Sequence, residues 1–459
     1  MQHFDLCVIG SGSANTIVDD RLGSLRVALV EGGTFGGTCL NVGCIPTKMF
    51  VYPADLARVP AYAGELGVDL RLDRVRWAAI RDRIFGRIDP ISAKGRAFRE
   101  HNDNVTLFSE RAHFVGPRTL DVGSAGLITA DRFVVGAGSR AVIPDLAGLD
   151  AVPYHTSDTV MRLDELPSSM IIVGGGYIAA EFAHIFSAYG TAVTVVNRSA
   201  QLLRNEDADV SRRFSELLGQ RVDVRAEATV QKLTAVADGR VRAQLAERGG
   251  ETTVEADVLL LATGRIPNGD TLDLEAAGIE TDEKGRIRVD AQQRTTAGGI
   301  FALGDVSTHQ PLKHVANHEA RVVQHNLLHP DAMISSDHRF VPHAVFSEPQ
   351  VASVGLTEQQ ARDAGVDYRV GRTDYGSTAY GWAMEDDTHF VKIIVDAGTD
   401  LILGAHLIGP QASSMIQPLI QAMSFGQTAT EVARGQYWIH PAMIEVVENA
   451  LLDSAASQD

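Results

Sequence analysis

The 459-residue chain is poor in cysteine, with three, in lysine, with six, and in tryptophan, with three; aromatics are 6% of it. Three cysteines, Cys7, Cys39 and Cys44, cannot build a disulfide framework for a secreted fold of this size. Basic residues are in deficit, 41 against 58 acidic, and the net charge of −17 argues against nucleic-acid or anionic-membrane partners. Long apolar runs are also missing. Residues 401–430 carry no Asp, Glu, Lys or Arg, but Pro410, Pro418, His406 and scattered Gln and Ser break the stretch, so it is expected to be a buried or intersubunit segment rather than a membrane span. The opening Met1 to Gly10 has no basic n-region or cleavage pattern, so no signal peptide and a cytoplasmic protein are expected. The 45% hydrophobic and 22% charged content is that of a globular chain of about three domains.

What is present is a duplicated pattern. Phe4 to Ile9 reads as a buried strand running into Gly10-Ser-Gly12-Ser13-Ala14-Asn15, and Met170 to Val173 as another running into Gly174-Gly-Gly176-Tyr177-Ile178-Ala179. A helical stretch and a second strand are expected after each, Val27 to Val30 and Ala192 to Val196. These are two βαβ units, the openings of two doubly wound dinucleotide-binding domains in an α/β protein. Both halves end in apolar strands meeting Gly-rich turns, at Gly138 and at Gly264, which suits backbone lying close to a ligand. The expected division is 1–148 for the first domain, 149–267 for the second, 268–338 returning to the first, and 339–459 for a C-terminal α+β domain of alternating strands and two helices.

In such turns the first Gly makes the bend, the second admits the pyrophosphate, and the helix N-terminus offers N–H groups to it. Asn15 stands where the third Gly belongs, so looser helix–strand packing is expected there, with Ala14 compensating. The first unit's second strand ends in Glu31, a carboxylate placed to accept from a ribose with free hydroxyls, as in FAD or NAD. The second ends in Asn197-Arg198, with Arg204 nearby. Guanidinium groups there bind a 2′-phosphate that a carboxylate would repel, which favours NADP. The competing explanation is chance, because 35 of the 41 basic residues are Arg.

The stretch Gly37-Thr38-Cys39-Leu-Asn-Val-Gly43-Cys44-Ile-Pro46-Thr-Lys48 carries the most information. Five residues apart in a regular helix, two Cα atoms lie about 8–9 Å apart, beyond the roughly 7 Å limit of a disulfide. If the thiols pair, the turn is distorted, and Gly43 and Pro46 ease distortion. A labile bond of that kind suits redox catalysis, and a helix N-terminus there would lower a thiol pKa. The alternatives are a metal site, for which further Cys or well-spaced His are missing nearby, and inert buried thiols. Cys7, mid-strand and flanked by apolar residues, reads as core.

This stretch resembles the active-site signature of the flavin-dependent pyridine nucleotide–disulfide oxidoreductases, and the likeness runs in order along the whole chain. Glu31 matches the family's FAD ribose position, Thr295 to Asp305 resemble its second FAD motif, Gly174 to Glu181 its NAD(P) turn, and His440-Pro-Ala-Met-Ile-Glu445 its His–Glu pair. The resemblance implies FAD and NADPH as cofactors, no metal, and a redox-active Cys39–Cys44 disulfide. Cys44 is implied as the flavin-facing thiol and Cys39 as the interchange thiol. Lys48 and Glu181 match the ion pair beside the flavin, and Tyr177 the aromatic lid over it. It implies His440, oriented by Glu445, as acid/base supplied across a homodimer interface, and a small-molecule disulfide as substrate. No cysteine pair follows His440, which disfavours members that relay electrons to a C-terminal pair.

Arg87-Ile-Asp89-Pro90, Tyr380-Gly-Trp382-Ala-Met-Glu385 and Arg434-Gly-Gln-Tyr437-Trp438-Ile-His440 are similar to a branch that reduces the disulfide of a cysteinyl pseudo-disaccharide. Tyr437 and Trp438 would offer flat faces to a sugar ring or serve as core aromatics. Glutathione-disulfide or lipoamide chemistry is the alternative, and a non-catalytic flavoprotein sensor a distant one. A sensor would be free to lose Cys39, Cys44, His440 or Glu445, and all four are present.

Overall fold

The computed structural model describes residues 1–456. Its first sheet grows from Gln2–Ile9, which pairs in parallel with Val27–Val30 on one side and Leu127–Val135 on the other. Val105–Phe108 extends the first edge, also in parallel. Leu6 to Ile9 and all of Val27–Val30 are buried, as an apolar run without alternation requires in a sheet covered on both faces. Ile300–Ala302 returns from far downstream to pair in parallel with the end of Leu127–Val135. The second sheet is parallel throughout, in the order Asp223–Ala226, Ala192–Asn197, Ser169–Val173, Val258–Leu261, His155–Thr156. A three-stranded antiparallel sheet of Thr229–Ala235, Val241–Glu247 and Gly250–Ala256 is inserted before its fourth strand.

The two βαβ openings differ. The second has the 12-residue α-helix Tyr177–Ala188 directly after Gly176. In the first, the helix expected from the sequence is replaced by two 3-10 turns, Ala14–Ile17 and Asp20–Leu22. Arg99 supplies the reason: its Nη2 donates to the carbonyls of Asn15 at 2.9 Å and Val18 at 2.7 Å, groups that a continuing helix would use for its own ladder. Asp19 caps the second turn by accepting from Arg21 N. The looser packing expected around Asn15 is also corrected. Arg99 Nε donates to Asn15 Oδ1 at 2.8 Å, and Ala14 is buried so close to Gly136 that a Cβ on the glycine would lie 2.5 Å from that of Ala14.

The last sheet is antiparallel, in the order His343–Val345, Val351–Gly355, Ile402–Ile408, Phe390–Asp396, Tyr368–Asp374. Among the described residues six helices accompany it where two were expected, four of them only four to six residues long and so too short to print a 3.6-residue period. Within 401–430 the strand is buried, and Leu419, Ala422 and Met423 face inward from helix Gln417–Phe425. Among the described residues no helix is long and apolar enough to cross a membrane. A single apolar cluster joins helices Cys44–Arg58, Trp77–Glu100 and Tyr177–Ala188 to Val345, Val351, Phe390 and Ile408 of this last sheet. The helix that begins at Cys44 therefore sits where all three units meet.

Candidate active site

Backbone crowding dictates the glycines that open the site. Gly10 has φ +103°, and a Cβ there would lie 2.3 Å from the carbonyl oxygen of Gly136; Gly174 repeats the arrangement at φ +131° and 2.2 Å from that of Ala262. A side chain is excluded at both positions. A Cβ on Gly37 would meet Gly12 Cα at 2.8 Å, so the cysteine stretch packs directly against the first dinucleotide turn. Between these turns runs a cavity of about 2080 Å³, roughly twice the upper end of an ordinary small-molecule site at about 1,000 Å³. Gly10, Gly12, Ser13, Ala14, Glu31, Thr38, Cys39, Cys44, Lys48 and Gly138 line it, as do Gly174, Gly176, Tyr177, Ile178, Glu181, Arg198, Arg204, Gly264 and Asp305. His440 and Glu445 are not among its lining residues.

Cys39 and Cys44 do not share one helix. The short helix Gly37–Asn41 ends at Val42, and Gly43, at φ −127° and ψ −123°, breaks the path before helix Cys44–Arg58 begins. Gly43 makes the distortion; Pro46 sits in the first turn of the new helix, where its missing N–H costs little. Both thiols are free in this structure, and the Cys44 thiol is the largest influence on Cys39. Aided by Lys313 and by the N–H groups of Cys44 and Ile45, it lowers the Cys39 pKa from 9.0 to about 7 against the opposing effect of burial. Two N–H groups of a helix's first turn aimed at a sulfur are the usual means of stabilising a thiolate. The Cys44 pKa is raised in turn by Cys39 and by desolvation. Cys7 is fully buried, and burial pushes its thiol up, in keeping with a core role.

One turn beyond Cys44, Lys48 Nζ lies 3.6 Å from Glu181 Oε1 and 2.9 Å from the centre of the Phe346 ring. Nζ is buried and, among the described residues, has no hydrogen-bond partner. Burial lowers its pKa to about 8 against the pull of Glu181. Burial likewise raises Glu181, which accepts from Phe346 N at 2.9 Å. Tyr177 opens the helix that carries Glu181, and desolvation raises its hydroxyl to about 12.

At the far end of the cavity Glu31 Oε2 accepts from Ser11 N at 2.8 Å and Ser11 Oγ at 2.5 Å, and Oε1 from Gly33 N. Asp305 Oδ2 accepts from Ser139 Oγ at 2.6 Å, and Arg265 donates to Ser139 Oγ and O, so the two Gly-rich turns at 138 and 264 are tied together. Lys313 Nζ donates to Ser13 Oγ at 2.7 Å. Sequence reasoning did not single out Lys313, Arg99, Arg265 or Phe346, because a side chain that meets a motif from far along the chain leaves no spacing to read. Arg198 and Arg204 are exposed on the cavity wall. Asn197 is buried and donates to Ser199 O and Gln201 O, shaping the loop that carries both arginines. The glycines that admit close backbone, the buried Lys48 ammonium with no hydrogen bond and the Glu31 carboxylate fit FAD. The two exposed arginines fit a 2′-phosphorylated nicotinamide nucleotide.

His440 Nδ1 lies 2.7 Å from Glu445 Oε1, with the imidazole side chain 72% exposed and the carboxylate 17%. Tyr437 is fully exposed and Ile439 is 74% exposed. Trp438 instead packs against the C-terminal core and donates to Ala433 O. The structure thus separates the two aromatics: Trp438 is half-buried against the core, Tyr437 is surface.

This fold and this cavity define a two-dinucleotide redox protein with a cysteine pair between the nucleotide sites. The chain belongs to the pyridine nucleotide–disulphide oxidoreductase family: that family's model matches residues 4–320, and the model of its dimerisation domain matches residues 341–451. It is a flavoprotein disulfide oxidoreductase with FAD and NADPH as cofactors. The chain is 52% identical to mycothione reductase of Mycobacterium tuberculosis, over 98% of this chain and 99% of that protein. It is 34% identical to dihydrolipoyl dehydrogenase of Halobacterium salinarum, over 97% and 96%. Among solved structures, the HOCl-induced flavoprotein disulfide reductase RclA of Escherichia coli, in its Cu(II) complex, superposes with a TM-score of 0.86 at 29% identity, covering all of both chains.

Proposed function

We propose that the chain reduces mycothione, the disulfide of a cysteinyl pseudo-disaccharide, to two molecules of mycothiol with electrons from NADPH, in the cytoplasm. The observation that carries the chemistry is that Cys39 and Cys44 meet at the break between two helices, inside the cavity lined by both dinucleotide turns, where Cys44 and a helix N-terminus lower the Cys39 pKa. The 52% identity to a mycothione reductase over nearly the full length supports the substrate.

In the proposed division, residues 1–148 and 268–338 hold FAD through Gly10, Gly12, Ser13, Ala14, Glu31, Thr38, Lys48, Gly138 and Asp305. Residues 149–267 hold NADPH through Gly174, Gly176, Ile178, Arg198, Arg204 and Gly264, and supply Tyr177 and Glu181 beside the flavin. Residues 339–459 pair with a second copy. Cys39 thiolate attacks one sulfur of the substrate disulfide: the Cys39–S bond forms, the substrate S–S bond breaks, and one thiolate leaves. His440 of the second copy, held by Glu445, gives that thiolate its proton. Cys44 then attacks Cys39, the mixed disulfide breaks, the second thiol leaves, and a Cys39–Cys44 disulfide remains. When bound, FAD supplies the two-electron relay from NADPH that restores the dithiol. Lys48 places a positive charge where negative charge develops, and Tyr177 shields that place from water until NADPH enters.

The test is NADPH oxidation by the FAD-loaded protein with mycothione, glutathione disulfide and lipoamide side by side, and NADH as the alternative donor. Turnover confined to mycothione is the expected result. Turnover with another disulfide only would refute the substrate while leaving the thiol chemistry in place.

A further inference from the structure

Behind the Lys48–Glu181 pair, one layer further from the cavity, the same elements are fastened a second time around His184, whose side chain is fully buried on helix Tyr177–Ala188. Its Nε2 lies 2.8 Å from Asp55 Oδ1 on helix Cys44–Arg58. Its Nδ1 lies 3.1 Å from Arg221 Nη2. Arg221 Nη1 donates to Glu348 Oε2 at 2.8 Å and to Glu348 O at 2.9 Å. Arg58 Nε donates to the same carboxylate oxygen at 2.8 Å. A guanidinium can only donate, so Nδ1 is the acceptor and the ring proton sits on Nε2, given to Asp55. The imidazole is neutral with a fixed tautomer, and burial, which lowers its pKa, keeps it so.

The register makes this more than a buried polar cluster. His184 stands one helical turn from Glu181, Asp55 two turns from Lys48, and Glu348 two residues after Phe346. Each of the three elements therefore contributes both to the Lys48–Glu181–Phe346 contact and to the His184 network. Asp55 faces Lys48 as well as His184. The charged and titratable groups around the imidazole are Asp55 and Arg58 from one helix, Arg221, and Glu348 from the last domain. Buried networks of this kind fix geometry when every member is partnered.

We propose that His184 is a positioning residue: by bridging Asp55 and Arg221 it holds Glu181 against Lys48 and so keeps the Lys48 ammonium charged beside Cys44. The proposal rests on the role given above to the Lys48–Glu181 pair. Lys48 is already pulled down to about 8 by burial, with Glu181 the first of the groups that oppose it. If Glu181 retreats, the ammonium loses its partner and deprotonates at lower pH.

The test uses FAD-loaded His184→Leu, His184→Gln and Lys48→Met, followed as the pH dependence of flavin bleaching by NADPH in single turnover. The wild-type alkaline limb is expected to move down by about one pH unit in His184→Leu. His184→Gln, which keeps a donor near the Nε2 position, is expected to restore it. A second readout needs no turnover: ¹⁵N shifts of the His184 ring are expected to show an Nε2–H tautomer up to pH 8. An imidazolium or an Nδ1–H tautomer overturns the proposal even if the Leu variant does not fold. An unmoved limb in His184→Leu, with only a lower Tm, also overturns it and leaves a structural role. Lys48→Met separates the two readings: if it bleaches like wild type, the ion-pair reading fails and His184 has nothing to position.

Discussion

Replacing Cys44 by Ala tests whether Cys39 owes its reactivity to its neighbour. The Cys44 thiol is the largest influence that brings Cys39 from 9.0 to about 7, and with Ala it is gone. If the whole shift is lost, the thiolate fraction at pH 7 falls from about one half to about 1%, a factor of roughly 50. A more basic thiolate is also a better nucleophile, by about 0.4–0.5 log units per pKa unit, which returns a factor of about 8. The net expectation at pH 7 is an alkylation rate lower by about sixfold. At pH 9.5 both forms are mostly thiolate, so the variant overtakes wild type by about the same factor, with the lines crossing near pH 8. The assay is the iodoacetamide rate at Cys39 in FAD-loaded protein reduced with dithiothreitol, read by mass spectrometry of its peptide from pH 5.5 to 10. The sign of the pH dependence is fixed: a lowered pKa keeps the reactive form present above about 7 and loses it as the pH falls through that value. A Cys44→Ala variant whose rate still has its midpoint near 7 and shows no crossing would refute this reasoning and shift the weight to Lys313 and the helix N-terminus.

Two further expectations follow from the cavity and the exposed histidine. Replacing Arg198 and Arg204 together by Ala should raise the KM for NADPH by about 10²- to 10⁴-fold, because two charge-assisted bonds at about 1.5–3 kcal/mol each are at stake, while steady-state kinetics with NADH stay within twofold; equal losses with both donors would remove the 2′-phosphate assignment. Cys39→Ser and His440→Ala are each expected to be inactive alone, yet unfolding and reassembling an equal mixture should recover about a quarter of wild-type turnover, since half the dimers are hybrids with one complete site. No recovery in verified hybrids would place His440 in the same subunit as its cysteine.

How far the sequence carried depends on which kind of signal each residue leaves. Strands buried on both faces print continuous apolar runs, and Val27–Val30 emerges with the bounds read from its run. Glycines forced by close backbone print spacing, so Gly10 and Gly174 are legible in the sequence, and the cysteine stretch implies a distorted turn if its thiols pair. The helix expected after Gly10 is absent for a reason its neighbours in sequence do not show. What stops that helix is Arg99, about eighty residues away, taking the carbonyls of Asn15 and Val18. Lys313 reaches Ser13 from three hundred residues downstream and leaves no local mark either.

The same distinction explains why the redox pair was found and its support was not. Cys39, Cys44 and Lys48 lie within ten residues, and a motif that short is written where it acts. Glu181, Phe346, His184, Arg221 and Glu348 come from two other units and meet helix Cys44–Arg58 only because one apolar cluster draws all three together. The packing is not a passive frame for the chemistry. It brings Phe346 over the Lys48 ammonium, desolvates that group enough to bring its pKa to about 8, and at the same contact buries the Glu181 carboxylate that keeps it charged. Loosening the apolar junction should therefore disturb the electrostatics at Cys44 before it disturbs the fold, because a pKa near 8 lies close enough to working pH for a small loss of the ion pair to change the charge present.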